Sequence, residues 1–309
     1  MYWFFNCNNY RTEAIKALVY SAFKHNPHFL PICIWDEPRY SEPDVKNWLI
    51  ERGVLVIPHK PILDLSRQFD TIKAYSDSLG WGINKLTVNG CWQKVDVPKI
   101  CCDLGIKDRY VLLTDPDCLW MDTFELEVKP PILAAACEEE PRRHYISGGI
   151  YVWNMPRAIN DYNNFLLFCM QNFERVGHGD NVGYLHYYGY ENISHLSPDW
   201  NFKPYWQCRE NGLFLSPKDR VEFQAAPRLI HFQGHAKPWM DFPQYYTKWY
   251  DESIVDQIEN YNKIWWKYVS QAEKEPFKFE NNKSAIEKYD ESEIKSTPID
   301  KICQLVPLI

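Results

Sequence analysis

The 309-residue sequence has no run approaching the roughly 18 consecutive apolar residues that a membrane-spanning helix requires. It also lacks a Cys-x-x-Cys pair among its ten cysteines, and Cys101-Cys102 is too tight for a zinc knuckle. Both absences argue against a structural zinc. No secretory signal opens the chain, which with ten cysteines points to reduced thiols and a cytoplasmic location rather than a disulfide framework. There is no positive excess either. The net charge of -7 argues against a nucleic-acid groove. No internal repeat occurs, and no low-complexity linker interrupts the first 240 residues.

What remains suits a large core. Hydrophobic residues make up 45% of the chain and aromatic residues 16%, with 13 Trp and 20 Tyr. Such rings either stack on sugars and bases or simply fill the interior. The length allows one large α/β domain or two small ones. Tyr2 to Phe5 reads as a strand, followed by the polar turn Asn6-Cys7-Asn8-Asn9-Tyr10 and a helix to about His25. That turn can bind the ribose or base of a nucleotide, or it can simply cap the helix. Strands at Pro31 to Trp35 and Val54 to Ile57 flank a helix at Glu42 to Glu51, the alternation of βαβ units. Asp64 to Gly90 is less regular, and a helix-like pattern resumes from Val95 to Leu104.

The central stretch is Tyr110 to Met121. The apolar run Tyr110 to Leu113 ends in two carboxylates one residue apart, Asp115 and Asp117. A short apolar run bounded by polar residues fits a buried strand of a mainly parallel sheet, and ligands bind beyond the carboxyl ends of such strands. Two acids this close repel unless a cation joins them, and a divalent metal that also holds phosphates is the economical choice. Two solvated acids in a strand-end turn are the alternative.

Further along, Ile132 to Cys137 reads as a strand, and Ser147-Gly148-Gly149 precedes another, Ile150 to Trp153. Adjacent glycines there mark close approach of a ligand or a plain turn. A helix follows within Arg157 to Arg175, then a turn ending in Asp180-Asn181, then a helix from Val182 to Tyr188. The strand Arg228 to Phe232 runs into Gln233-Gly234-His235-Ala236-Lys237-Pro238-Trp239. His231 there is either a metal ligand or a structural histidine. From Ile254 a helix carries Lys263-Ile264-Trp265-Trp266-Lys267, which packs on the domain or touches a membrane surface. Asp251, Glu252, Asp256 and Glu259 favour packing, and beyond Glu273 the chain reads as a tail.

With both clusters in view, the chain resembles the GT-A glycosyltransferases, and in particular glycosyltransferase family 8, over roughly residues 1 to 245. His231-Phe232-Gln233-Gly234-His235-Ala236-Lys237-Pro238-Trp239 is similar to that family's His-Phe-x-Gly-x-x-Lys-Pro-Trp signature, and Asp115-Pro116-Asp117 to its Asp-x-Asp motif. The resemblance implies a GT-A fold, Rossmann-like, with a central mostly parallel sheet flanked by helices, over residues 1–250. A C-terminal helix and tail would occupy 251–309. It implies Asp115, Asp117 and His231 as metal ligands, with Mn2+ the usual ion and Mg2+ the substitute. Lys237 and the Gly234 backbone would hold the donor diphosphate. Lys99, 16 positions before Asp115 (115 minus 99), matches the spacing of a donor-site lysine. Asn8-Asn9-Tyr10 is similar to the uridine turn, and Thr114 and Ser147-Gly148-Gly149 complete the donor site. Asp180 and Asn181, with Lys99, would form the catalytic face. Two departures stand out. Ser147-Gly148-Gly149 replaces the family's Asn-Ala-Gly or Asn-Ser-Gly, and Asp180-Asn181 replaces Asp-Gln.

The implied activity is metal-dependent transfer of a hexose or pentose from a UDP-sugar to an acceptor hydroxyl, with retention. The acceptor would be a glycan, glycoprotein or glycolipid, with at most peripheral membrane contact and no nucleic acid. Two competitors share the motif: a haloacid-dehalogenase-type phosphatase and a non-catalytic sugar-nucleotide-binding module. Against the phosphatase, Cys118-Leu119 follows Asp117 where a Gly-Thr-like pair belongs, and the motif lies mid-chain.

Overall fold

A computed structural model describes residues 1–7, 11–36, 43–78, 83, 85–139, 142–205, 227–234, 237–240 and 252–280. Asn8, Asn9 and Tyr10 lie outside the described residues, as does the tail beyond residue 280. The first strand, β1 (Tyr2–Cys7), is two residues longer than its apolar run, because Asn6 is buried too and donates from Nδ2 to Gly90 O at 3.1 Å. Helix α1 (Thr12–His25), β2 (Leu30–Trp35), α2 (Pro43–Glu51) and β3 (Leu55–Pro58) follow as the βαβ pattern requires.

Next come α3 (Phe69–Ser78), α4 (Lys85–Val95) and α5 (Val97–Asp103), where the sequence shows little periodicity before Val95. At the end of α4 and the start of α5 the reason is burial on all sides. Every residue from Trp92 to Pro98 is buried, including Gln93, Lys94 and Asp96, so polar residues at core positions erase the apolar stripe. Asp96 is held by Tyr162 at 2.5 Å, His59 at 2.7 Å and the Ile62 amide at 2.8 Å.

The remaining elements are β4 (Tyr110–Thr114), β5 (Cys118–Trp120), β6 (Leu133–Glu139), β7 (Arg142–Asn154), α6 (Met155–Gln171), α7 (Phe173–Val176), α8 (Asp180–Tyr188), β8 (Ser194–His195), β9 (Leu229–His231) and α9 (Glu252–Lys274). A seven-stranded sheet runs β3-β2-β1-β4-β7-β6-β8. Strands β1, β2, β3 and β4 pair in parallel, whereas β7 is antiparallel to both β4 and β6. Both faces of β1 are covered. Trp3 and Phe5 pack with Ile15, Leu18 and Val19 of α1, and Phe4 packs on the opposite layer with Trp92, Val97 and Phe165. That is why the strand reads as an unbroken apolar run. Each fully buried side chain of this size contributes about 1.5–3 kcal/mol.

Ser147-Gly148-Gly149 lies inside β7 rather than before it, and the β6–β7 register shifts twice nearby, between Ala135 and Cys137 and between Cys137 and Glu139. A second sheet pairs β5 with β9 antiparallel, with Cys118 opposite His231 and Trp120 opposite Leu229. Helix α9 lies along α1, tied by His25 Nε2 to the Tyr268 hydroxyl at 2.9 Å and by Lys16 to Glu273 at 2.9 Å. The chain beyond Glu273 stays on the domain as far as it is described. Phe277 and Phe279 are buried, and the Phe279 amide donates to Arg52 O at 2.9 Å. Gly53, at φ +77°, leaves room for the Phe279 carbonyl that a Cβ would strike. Among the described residues no helix is long and apolar enough to cross a membrane.

Candidate active site

Strand β4 delivers Asp115 and Asp117 to the rim of the main sheet, and the small sheet brings His231 against them. The register of Cys118 with His231 puts β9 beside the second aspartate, and the Phe232 amide donates to Asp117 O at 3.0 Å. His231 Nε2 then lies 3.3 Å from Asp117 Oδ1 and 3.6 Å from Asp115 Oδ2. Two sequence-distant motifs thus meet at one point through strand pairing.

The orientation of His231 is set from behind. Its Nδ1 lies 2.8 Å from Asn201 Oδ1. Asn201 Nδ2 donates to Cys137 O at 3.1 Å, so Oδ1 is the acceptor and Nδ1 carries the hydrogen. Ser147 extends the chain, donating from Oγ to Asn201 Oδ1 at 3.1 Å while accepting from the Gly149 amide at 3.2 Å. So fixed, the imidazole turns its Nε2 toward two carboxylates. Asp117 Oδ1, buried, has no hydrogen-bond donor among the described groups. Three acceptors aimed at one point suit a cation with oxygen and nitrogen ligands. Cys118 Sγ also lies within 4.8 Å of the Asp117 and His231 ligand atoms. Its thiol is a poor ligand, because burial and then the nearby aspartates push its pKa up, and it points its S–H at Gly149 O at 3.4 Å.

Two lysines flank the acids. Lys94, from α4, donates to Asp115 Oδ1 at 2.5 Å and to Gly148 O at 3.2 Å, and sits 3.3 Å from Asp180 Oδ2. It is only 2% exposed. Burial alone would drive it toward the neutral amine, but Asp115 and Asp180 outweigh burial and raise its pKa. Lys237, on the loop after β9, pairs with Asp117 Oδ2. For Asp117, burial opposes ionisation, yet Lys237 and His231 prevail and hold its carboxyl below the ordinary range. For Asp115 the balance runs the other way. Burial, with Asp117 and Asp180 close by, raises it despite Lys94 and His231.

Several expected residues take other places. Lys99 lies on α5 and pairs with Asp103 at 2.5 Å, one turn along the same helix. The lysine that meets the acids is Lys94, five residues earlier, because α4 and not α5 points at the rim. Thr114 is fully buried and its hydroxyl accepts from Trp3 Nε1 at 2.9 Å, since strand alternation turns it into the α1-side core. Asn181 donates from Nδ2 to Ile146 O at 2.9 Å, fastening α8 to β7 rather than facing the acids. Ser147 is buried on Asn201. Asp180 does join the site, buried at the first turn of α8 against Lys94. Gly149 is required by crowding, because an added Cβ would lie 2.6 Å from Asn201 Oδ1 and closer still to His231. Gly148 sits among Lys94, Asp180 and Asp115, at 3.3, 3.5 and 3.6 Å from where its Cβ would be. Gly234 adopts φ +70°, the left-handed turn that carries the loop on to Lys237.

No protein-family model matches the sequence, and a search of curated proteins finds no match. Solved structures match in fold. The glycosyltransferase GlyE of Streptococcus pneumoniae TIGR4 superposes with a TM-score of 0.56 at 14% identity, over 86% of this chain and 60% of that one. The galactosyltransferase LgtC, in complex with donor and acceptor sugar analogues, gives 0.58 at 16% identity, over 84% of this chain and 96% of that one. The bifunctional glycosyltransferase WbbM gives 0.54 at 14%, over 86% of this chain and 51% of that one. This chain therefore spans less than two thirds of GlyE and WbbM. The shared architecture is the mixed α/β GT-A fold, with helices flanking a mostly parallel sheet.

Proposed function

We propose that the chain is a metal-dependent glycosyltransferase that moves a hexose or pentose from a UDP-sugar to an acceptor hydroxyl with retention of configuration. The acceptor is a glycan, glycoprotein or glycolipid. The observation that carries this reading is the convergence of Asp115, Asp117 and His231 Nε2 between two lysines, in a fold shared with solved glycosyltransferases. Mn2+ or Mg2+ fits this oxygen and nitrogen set, held by Asp115, Asp117 and His231. When bound, such an ion supplies Lewis-acid charge to a departing diphosphate.

The chain's own groups do the rest. Lys237, on a surface loop, offers its ammonium to the diphosphate oxygens, which needs only a change of partner from Asp117. The Gly234 turn brings backbone to the same side. Lys94 keeps Asp115 and Asp180 apart in charge and fixed in place. Asp180 is thereby positioned to orient donor hydroxyls, and its ion pair with Lys94 weakens it as a nucleophile. The phosphatase reading loses ground, because both oxygens of Asp115 face cationic or imidazole groups rather than standing ready to attack.

A panel of UDP-sugars with Mn2+ tests the reading. Slow Mn2+-dependent donor hydrolysis is expected. Phosphate release from simple esters would indicate a phosphatase instead, and binding without turnover a module. Asp117→Ala should abolish metal-dependent turnover with the fold intact, and near-normal turnover by that variant would overturn the metal assignment. His231→Ala should weaken Mn2+ binding to the nucleotide complex in a direct titration.

A further inference from the structure

Lys237 sits on a short turn in which Pro238 and Trp239 meet α9. The Met240 amide closes the turn on Lys237 O at 3.0 Å. Trp239 packs on Trp265 with centroids 5.4 Å apart, and Trp265 meets Trp266 edge-on at 4.9 Å. Trp265 is fully buried in a cluster with Leu119, Ile230 and Phe232, the neighbours of the small-sheet site residues. Trp266 differs. It is 43% exposed, so burial alone does not account for its placement, yet its indole N–H donates to Pro238 O at 3.1 Å. Pro238 is the residue next to Lys237. The Lys237 ammonium also lies 5.8 Å from the Trp239 ring centroid, within cation–π reach.

The helix that presents Trp266 is anchored elsewhere. Gln257 Nε2 donates to Pro204 O at 2.6 Å, Tyr268 meets His25, and Glu273 pairs with Lys16. The Lys237 turn is thus pinned to a helix that is pinned to α1. We infer that Trp266 is a positioning residue for the diphosphate clamp: through Pro238 O, and with Trp265 under Trp239, it holds the Lys237 turn at the height of Asp117. This inference rests on the proposed nucleotide-sugar function for what Lys237 binds, though not for the contact itself. Acidic residues on the same helix, Glu252, Asp256 and Glu259, fit this inward role better than a lipid surface.

The test uses the whole chain with Trp266→Phe, which keeps a ring and removes the N–H, and Trp266→Ala. The first measurement is amide hydrogen exchange over residues 237–240 without ligand. Exchange should quicken about 3- to 10-fold, the factor expected for one lost hydrogen bond, with β4 exchange and Tm unchanged. The second is binding of UDP and of uridine in the presence of Mn2+. UDP affinity should fall about 3- to 10-fold while uridine affinity holds, and the loss should vanish in a Lys237→Ala background. Unchanged exchange in both variants overturns the inference, as does an equal loss for UDP and uridine or a loss that persists without Lys237. Faster exchange in a protein that binds no UDP would uphold the buttress and overturn the nucleotide-sugar reading.

Discussion

Lys94 reaches Asp115 from inside the molecule, along a helix whose last turn is buried on every side, whereas Lys237 reaches Asp117 from a surface loop. Lys94 touches two carboxylates and a carbonyl and is 2% exposed. Lys237 pairs with Asp117, and its loop is braced by aromatic rings of α9. Two ammonium groups at similar distance from one pair of acids therefore have different jobs. The first is a core charge that folding requires, because Asp115 and Asp180 cannot both lie so close without it. The second can change partners without disturbing the core. The difference also explains why a ligand site can be assembled from one rigid wall and one adjustable one.

The comparison breaks most directly at Lys94. Lys94→Met leaves Asp180 buried and Asp115 crowded with no cation between them, and should cost about 3–5 kcal/mol of stability by urea unfolding. Adding Asp180→Asn should recover part of that loss, because it removes one of the two stranded charges. Wild-type stability in Lys94→Met would place Lys94 with Lys237 as a replaceable charge.

Acid should loosen the Lys94 wall before the Lys237 wall. His178 stands in the turn leading to Asp180, and Trp92, two residues before Lys94, donates to Gly177 O at 2.9 Å beside it. Burial, helped by His186, pushes the His178 pKa down to about 4. In the unfolded chain the ring titrates near 6.5. Above about pH 6.5 both states are neutral and stability is unaffected. As pH falls from 6.5 toward 4 the unfolded state binds the proton first, so stability drops, by up to about 3 kcal/mol. Urea unfolding at pH 7 and pH 5 should show this slope in the wild type and a shallower one in His178→Gln, where other histidines whose pKa burial also lowers remain. A smaller effect is expected at the junction of the two walls. Gly149→Ala should cost about 1–3 kcal/mol by overpacking Asn201 and His231, and should weaken Mn2+ binding in a titration of the nucleotide complex.

How much of this was legible in the sequence follows the same division. The apolar runs of β1, β2 and β4 and the stripe of α9 stand out because each buries apolar side chains in a regular period. Asp115, Asp117 and His231 stand out because acids and an imidazole at strand ends have a chemical reason to be there. Lys94 was hidden. It lies among buried polar residues in a helix without an apolar stripe, and no spacing rule separates it from Lys99, whose partner Asp103 lies one turn away. Asn201 carries no motif that marks it either. Its role depends on Cys137 O and His231 Nδ1, contacts that only the packed chain creates. Thr114 was misplaced for a simpler reason. A residue at a strand end faces the rim or the core according to alternation, and here Trp3 takes its hydroxyl.

Lys237→Ala removes a cation from Asp117, but His231 stays 3.3 Å away. Stability should fall by less than in Lys94→Met, because one buried carboxylate rather than two loses its cation and His231 remains beside it. Donor turnover should fall instead, by the loss of a charge-assisted contact of roughly 1.5–3 kcal/mol, or about 10- to 150-fold. Measured side by side, the two lysine variants separate folding from function. Lys94→Met should lower Tm more than any single change at the loop, and Lys237→Ala should lower donor turnover with a smaller loss of Tm. If Lys237→Ala unfolds the protein as readily as Lys94→Met does, the loop is part of the core. The Asp117–Lys237 pair would then be a structural ion pair rather than half of a diphosphate clamp.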